Sequence, residues 1–93
     1  MVSWTIKYHP KVKKDVKTIG HAKAEKVREA IRSKLLVDPL NFGEALQENL
    51  VSYRKLRIGD IRIVYRVVNE EVIIFVLAIG YRRDIYQTAS KRI

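Results

Sequence analysis

The chain is predicted to fold as an α+β domain of order β-α-α-β-β-β-α, an antiparallel sheet with a helical hairpin on one face and a short helix at its C-terminal end. Three observations predict it. Val2–Tyr8 alternates apolar Val2, Trp4, Ile6 and Tyr8 with polar Ser3, Thr5 and Lys7, the period of a half-buried strand. Two stretches with apolar residues at helical spacing follow, separated by Gly20. From Tyr53 onward the period returns to two, broken by Gly59-Asp60 and by Asn69-Glu70-Glu71. Strands grouped apart from helices are the mark of an α+β arrangement.

Each element has its own reason. His9-Pro10 closes the first strand, and Pro10 suits the first turn of a helix, where its missing N–H costs nothing. Val12, Val16 and Ile19 then line one helical face, and Gly20 stops it. The second helix places Val27, Ala30, Ile31, Lys34 and Leu35 on one stripe, with Lys23, Lys26, Arg28, Glu29 and Arg32 around the rest, until Asp38-Pro39 ends the run. Leu40–Leu50 has no clean period, and its Asn41, Gly43 and Asn49 predict an exposed connector with at most a turn of helix. The run VIIFVLAIG, residues 72–80, is apolar on both faces and belongs in mid-sheet. After Gly80 the polar stretch YRRDIYQTASKRI, with Ile85 and Ala89 at helical spacing, predicts a short helix over the sheet edge. The helical hairpin then covers one sheet face and leaves the other open for a ligand.

The most informative stretch is Tyr53–Arg66, which packs five basic side chains into two short alternating segments. Gly59-Asp60 reads as a two-residue type II′ turn, so Ile58 pairs with Ile61 and Arg57 faces Arg62. That register puts Tyr53, Lys55, Arg57, Arg62, Val64 and Arg66 on one face, and Arg54, Leu56, Ile58, Ile61, Ile63 and Tyr65 on the other. Phe75 and Leu77 join the basic face as its apolar floor. Like charges opposite one another across strands are destabilising, so Arg57 beside Arg62 points to a bound anion.

At 93 residues the chain is expected to be one domain, residues 1–93, with little chain to spare for a second module. It has no cysteine, hence no disulfide framework and no thiolate metal site; without a secretory segment or an apolar run of membrane length, a cytoplasmic protein with no membrane partner is expected. The formal charge of +9 suits an anionic partner. Residues 1–50 carry eight Lys and two Arg, but residues 51–93 carry two Lys and seven Arg. Arg presents a planar fork that grips phosphate through two N–H groups, which places the binding surface on the C-terminal half.

Most catalytic chemistries lack their residues. His9 and His21 lie at helix boundaries and the adjacent Glu70-Glu71 sits in a turn, so no metal site and no cofactor is expected. Ser3, Ser33, Ser52 and Ser90 have no evident His partner for a nucleophilic triad. Arg, Lys and Tyr remain, and these suffice for the RNA phosphodiester, whose own 2′-OH is the nucleophile. Arg62 and Arg82 would neutralise charge building on the phosphoryl oxygens. Arg stays protonated, so the base is Lys55, near Arg57 and Arg62, or Tyr86, near Arg82 and Arg83, since neighbouring cations favour loss of a proton. Tyr86 has a second role open to it, stacking on an unpaired base. Arg54, Arg57, Arg66 and Arg83 complete the candidate RNA-binding set. Trp4 is read as core.

These residues carry a resemblance to a known family. The strand-helix-helix-strand order, the hairpin YRKLRIGDIRIVYRV, the apolar VIIFVLAIG and the ending YRRDIY resemble the RelE/ParE superfamily of toxins across nearly the whole chain. The specific element is the combination of R-x-G-D-x-R-x-x-Y, residues 57–65, with G-x-R-R-x-x-Y, residues 80–86. The resemblance, closest to the RelE-like branch, implies the toxin of a type II toxin–antitoxin system, monomeric alone and in a hetero-oligomer with its cognate antitoxin. It implies metal-independent cleavage of mRNA in the ribosomal A site by 2′-OH attack. It also implies roles by position: Lys55 as the strand lysine, Arg62 as the phosphate-binding arginine, Arg82 as the transition-state arginine and Tyr86 as the C-terminal tyrosine. One basic position of the RelE pattern is Tyr53 here, and the acid-base Glu and His of the YoeB-like branch have no clear counterpart, Glu44 and Glu48 lying in the connector. Two alternatives share the fold: a ParE-like inhibitor of DNA gyrase, which needs no catalytic set, and a cleavage-inactive relative that only binds antitoxin or RNA.

Overall fold

The computed structural model describes residues 3–93; Val2, placed above in the first strand, lies outside them. Strand β1 is Thr5–Tyr8, followed by helix α1 (Val12–Ile19) and helix α2 (His21–Ala30), which continues through a π-helical turn at Ile31–Leu35. Gly20, at φ +88°, makes the break between the two helices that the sequence predicts. A one-turn helix α3 (Pro39–Phe42), a two-residue strand β2 (Glu44–Ala45) and a 3₁₀ turn (Glu48–Leu50) form the connector. Strands β3 (Arg54–Ile58), β4 (Ile61–Val68) and β5 (Ile73–Tyr81) follow, then helix α4 (Ile85–Ser90).

The five strands form one sheet in the order β1-β5-β4-β3-β2. The doubly apolar β5 sits inside it, as its composition requires, flanked by β1 and β4. The expected all-antiparallel sheet is corrected at one edge. β1 runs parallel to β5, pairing Thr5 with Ile73 through Tyr8 with Val76, so the sheet is mixed. The helical hairpin lets the N-terminal strand lie beside the last strand, a partner the alternation of residues 2–8 does not specify.

Helices α1 and α2 bury Val12, Ile19, Val27, Ile31 and Leu35 against Leu56, Ile61, Ile63, Tyr65, Ile74, Val76 and Ile79. Trp4 packs at the margin of this core. The opposite face, expected to be open for a ligand, is covered. Ile85 and Ala89 of α4, together with Leu50, bury Val64, Leu77 and Ala78 in a second, smaller core. So α4 lies on the face of the two central strands, not over the edge. A bulge makes this seat: Val64 pairs with Ala78 but Tyr65 with Val76, leaving Leu77 as the extra residue. Leu77 is therefore roofed by α4, while Phe75 stays half-buried.

The connector is not uniformly exposed either. Pro39, Gly43 and Leu50 are buried. Tyr65 Oη donates to the Pro39 carbonyl at 2.7 Å, and a Cβ on Gly43 would stand 1.9 Å from that same oxygen. Only glycine lets the chain pass there.

Candidate active site

The β3–β4 hairpin builds the basic face. Gly59 stands at φ +60° while Asp60 stays out of the left-handed region, the signature of a type II′ turn. The register follows as expected: Ile58 opposite Ile61, Arg57 opposite Arg62, and Lys55 opposite Val64. Lys55 therefore stands diagonally from Arg62, roughly 7–8 Å between backbones.

Lys55 and Tyr86 meet directly. Lys55 Nζ donates to Tyr86 Oη at 3.2 Å and lies 5.7 Å from the ring centroid. The contact exists because α4 lies on the sheet face and sets its second residue above β3. Lys55 Nζ is also 3.9 Å from Glu44 Oε2, since β2 pairs Glu44 with Lys55.

Arg62 is 5% exposed, and its Nη1 donates to the carbonyls of Gly59 at 2.7 Å and Ile61 at 2.9 Å. The repulsion expected between Arg57 and Arg62 is thus relieved inside the molecule: the turn carbonyls hold Arg62 while Arg57 projects into solvent. Arg82 is tied to the same turn, its backbone N–H donating to the Asp60 carbonyl at 3.0 Å. The hairpin turn thereby gathers both arginines, with Arg82 and Arg83 exposed.

Not all candidates join this group. Arg66 is exposed opposite Phe75, at the far end of β4 from the turn. Arg54 belongs to the other side. Its Nη2 donates to the carbonyls of Leu40 at 2.7 Å and Gly43 at 2.5 Å, clamping the connector, which corrects its place among the RNA-binding residues. The register already put Arg54 on the core face; its charge had drawn it into the binding set.

Residues outside the arginine-rich half also shape the site. Lys23, expected only as outer helix surface, donates from Nζ to Asp60 Oδ2 at 3.1 Å and to Tyr81 Oη at 3.3 Å, and lies 4.5 Å above the Tyr81 ring. The hydrogen bond to Asp60, then that to Tyr81, raises the Lys23 pKa; the bond from Lys23 lowers that of Asp60. Helix α2 thus latches the turn whose carbonyls hold the Arg62 side chain and the Arg82 backbone N–H. Thirty-seven residues separate Lys23 from Asp60, and no local pattern links them. Among the described residues no three His, Asp or Glu side chains gather as a metal site. The assembled groups can bind a phosphodiester through guanidinium N–H groups and exchange a proton through an amine hydrogen-bonded to a phenol.

The comparisons with known proteins define the class. The family model described as the ParE toxin of a type II toxin–antitoxin system, parDE, matches residues 6–86. This chain belongs to the RelE/ParE superfamily of type II toxin–antitoxin toxins. Among characterised relatives, the mRNA interferase toxin RelE of Escherichia coli K12 is 37% identical over 73 residues, covering 72% of this chain and 77% of its own. The mRNA interferase RelE of Shigella flexneri matches to the same extent. Two solved structures share the fold: the toxin–antitoxin complex RelBE2 of Mycobacterium tuberculosis, with TM-score 0.80, 23% identity and coverage of 87% of this chain and 100% of that one, and a free mutant of E. coli RelE, with TM-score 0.76, 21% identity and coverage of 100% and 99%. No helix among the described residues is long and apolar enough to cross a membrane.

Proposed function

We propose that this protein is a ribosome-dependent, metal-independent mRNA endoribonuclease, neutralised by a cognate antitoxin. The observation that carries the reading is the 3.2 Å hydrogen bond between Lys55 and Tyr86, with Lys55 on the strand face that also carries Arg62. In the proposed reaction the 2′-OH of one nucleotide attacks its own 3′ phosphate. The P–O bond to the next 5′ oxygen breaks, leaving a 2′,3′-cyclic phosphate and a free 5′-OH. Lys55 or Tyr86 takes the 2′ proton and the other group returns one to the leaving oxygen. Arg82 and the Nε and Nη2 groups of Arg62, which hydrogen-bond to none of the described residues, bear on the phosphoryl oxygens as charge builds there. Arg57 and Arg83 extend the cationic track. The names of the E. coli and S. flexneri relatives agree with this activity, and structures of relatives as toxin–antitoxin complexes agree with an antitoxin partner.

A second reading is a ParE-like inhibitor of DNA gyrase, favoured by the family model that spans residues 6–86. One experiment separates the two. After brief expression in bacteria, labelled methionine and labelled thymidine incorporation are followed in parallel over the first minutes. Early loss of protein synthesis supports the nuclease; early loss of DNA synthesis, with toxicity unchanged on replacing Lys55, Arg62, Arg82 and Tyr86 together, supports gyrase inhibition.

A further inference from the structure

The Arg82 side chain is exposed, so its aim is set by the backbone that carries it. That backbone leaves the sheet at Tyr81, the last residue of β5, and turns toward α4. Two hydrogen bonds shape the turn: the Arg82 N–H donates to the Asp60 carbonyl at 3.0 Å, and the Asp84 N–H to the Tyr81 carbonyl at 3.0 Å. The first bond is only as steady as the β3–β4 turn, and that turn has little packed against it. A Cβ built on Gly59 would meet none of the described residues within 4 Å beyond its chain neighbours, and a cavity of about 100 Å³ lies between the turn and α2, with Lys26 and Ile58 in its wall. Exposed hairpin tips with few apolar contacts belong to the low-stability end of a fold.

Lys23 bridges α2 and the turn beside that cavity. Its ammonium holds two places at once, donating to Asp60 Oδ2 in the turn and to Tyr81 Oη, and it stands above the Tyr81 ring. The residue whose carbonyl accepts from Arg82 and the residue that precedes Arg82 are thus tied through one side chain. An ion pair whose partners are 38% and 57% exposed adds little to stability. Its effect is on geometry: a donor to a developing charge works only when held in place beforehand, and a displacement of about 1 Å costs on the order of 10²-fold in rate. Resting on the nuclease reading above, we propose that Lys23 is a positioning residue, which touches no substrate and aims Arg82 at the phosphoryl oxygens by tying the β3–β4 turn to the end of β5.

The test compares the full wild-type chain with Lys23→Met, which keeps an apolar stem and removes the N–H donors, and with Lys23→Arg, whose fork can again bond Asp60. In ¹⁵N-labelled protein the Arg82 amide should exchange about tenfold faster in Lys23→Met, with the buried Ile63 and Ile79 amides unchanged. On programmed ribosomes kcat for message cleavage should fall about tenfold while KM stays within about twofold, and Lys23→Arg should bring exchange and kcat back to within about threefold of wild type. In an Arg82→Ala background Lys23→Met should cost less than about twofold more, since no guanidinium is left to aim; a lysine that only supports the fold would cost the same in both backgrounds. Unchanged Arg82 exchange, unchanged kcat, or the full loss repeated without Arg82 overturns the role of Lys23 and leaves the nuclease reading intact. Wild-type protein that cuts no message overturns that reading and the positioning role with it.

Discussion

Asp15 and Arg92, seventy-seven residues apart, form a buried bidentate ion pair at 2.6 and 2.7 Å, with their side chains only 9% and 8% exposed. The pair stands where β1 ends and the edge of β5 would lie bare. Asp15 accepts from the Ile79 N–H at 2.9 Å, and Arg92 donates to the Leu77 carbonyl at 3.0 Å. Two side chains thus replace the strand that has turned away, and together they fasten the C-terminal end to α1 at the bulge.

Removing one partner leaves the other charge buried alone. Arg92→Met is expected to lower stability by about 3 kcal/mol, and to loosen α4 before the rest of the chain. Urea unfolding checks the first statement; amide exchange of Ile85–Ser90 checks the second. A change within experimental error would mean that α4 is held by Ile85 and Ala89 alone.

Gly43 and Tyr65 compete for one space. Gly43→Ala should destabilise by about 2 kcal/mol through overpacking. In a Tyr65→Phe background, where the hydroxyl 1.9 Å from the added methyl is gone, the same substitution should cost clearly less. Strict additivity in the double-mutant cycle would refute the proposed clash.

Burial raises the Tyr65 phenol above its ordinary value of 10.0, with Arg54 pulling the other way. A group whose pKa is higher in the folded state contributes stability that is full below the unfolded pKa and lost as pH rises toward the folded one. Urea stability should therefore hold through pH 9 and fall from about pH 10. Tyr65→Phe should blunt that alkaline loss; an identical profile in the variant would assign the loss to other groups.

The site residues divide by what their removal leaves. Arg82→Ala should keep the fold and reduce cleavage about 10²–10³-fold, the scale for losing one preorganised donor. Tyr86→Phe keeps the ring and removes the proton. A loss of about 10²-fold or more assigns Tyr86 to proton transfer, and retained activity leaves it as a stacking surface only. Circular dichroism matching wild type must accompany both results.

The hairpin was legible because a two-residue turn fixes the register and alternation fixes the faces. Gly59, the Arg57–Arg62 pair and the core face from Leu56 to Tyr65 followed from neighbours in sequence. Glu44 was not legible as a partner of Lys55, since a two-residue strand has no period to detect. Arg54 was misplaced because charge outweighed register, although the register had it right. The bulge at Leu77 escaped because a run apolar on both faces hides a change of side.

What the sequence determined by itself was the set of local choices: helix or strand, the turn at Gly59-Asp60, and an arginine-rich half suited to anions. Tertiary structure alone decided that β1 joins β5 in parallel, that α4 covers the second face, and that Lys55 therefore meets Tyr86. The reason is physical. Periodicity records which way a residue faces within its own element, but not which distant element will satisfy that face. The contacts between Lys55 and Tyr86, Lys23 and Asp60, and Asp15 and Arg92 each span thirty residues or more, and they exist only once the two cores have closed.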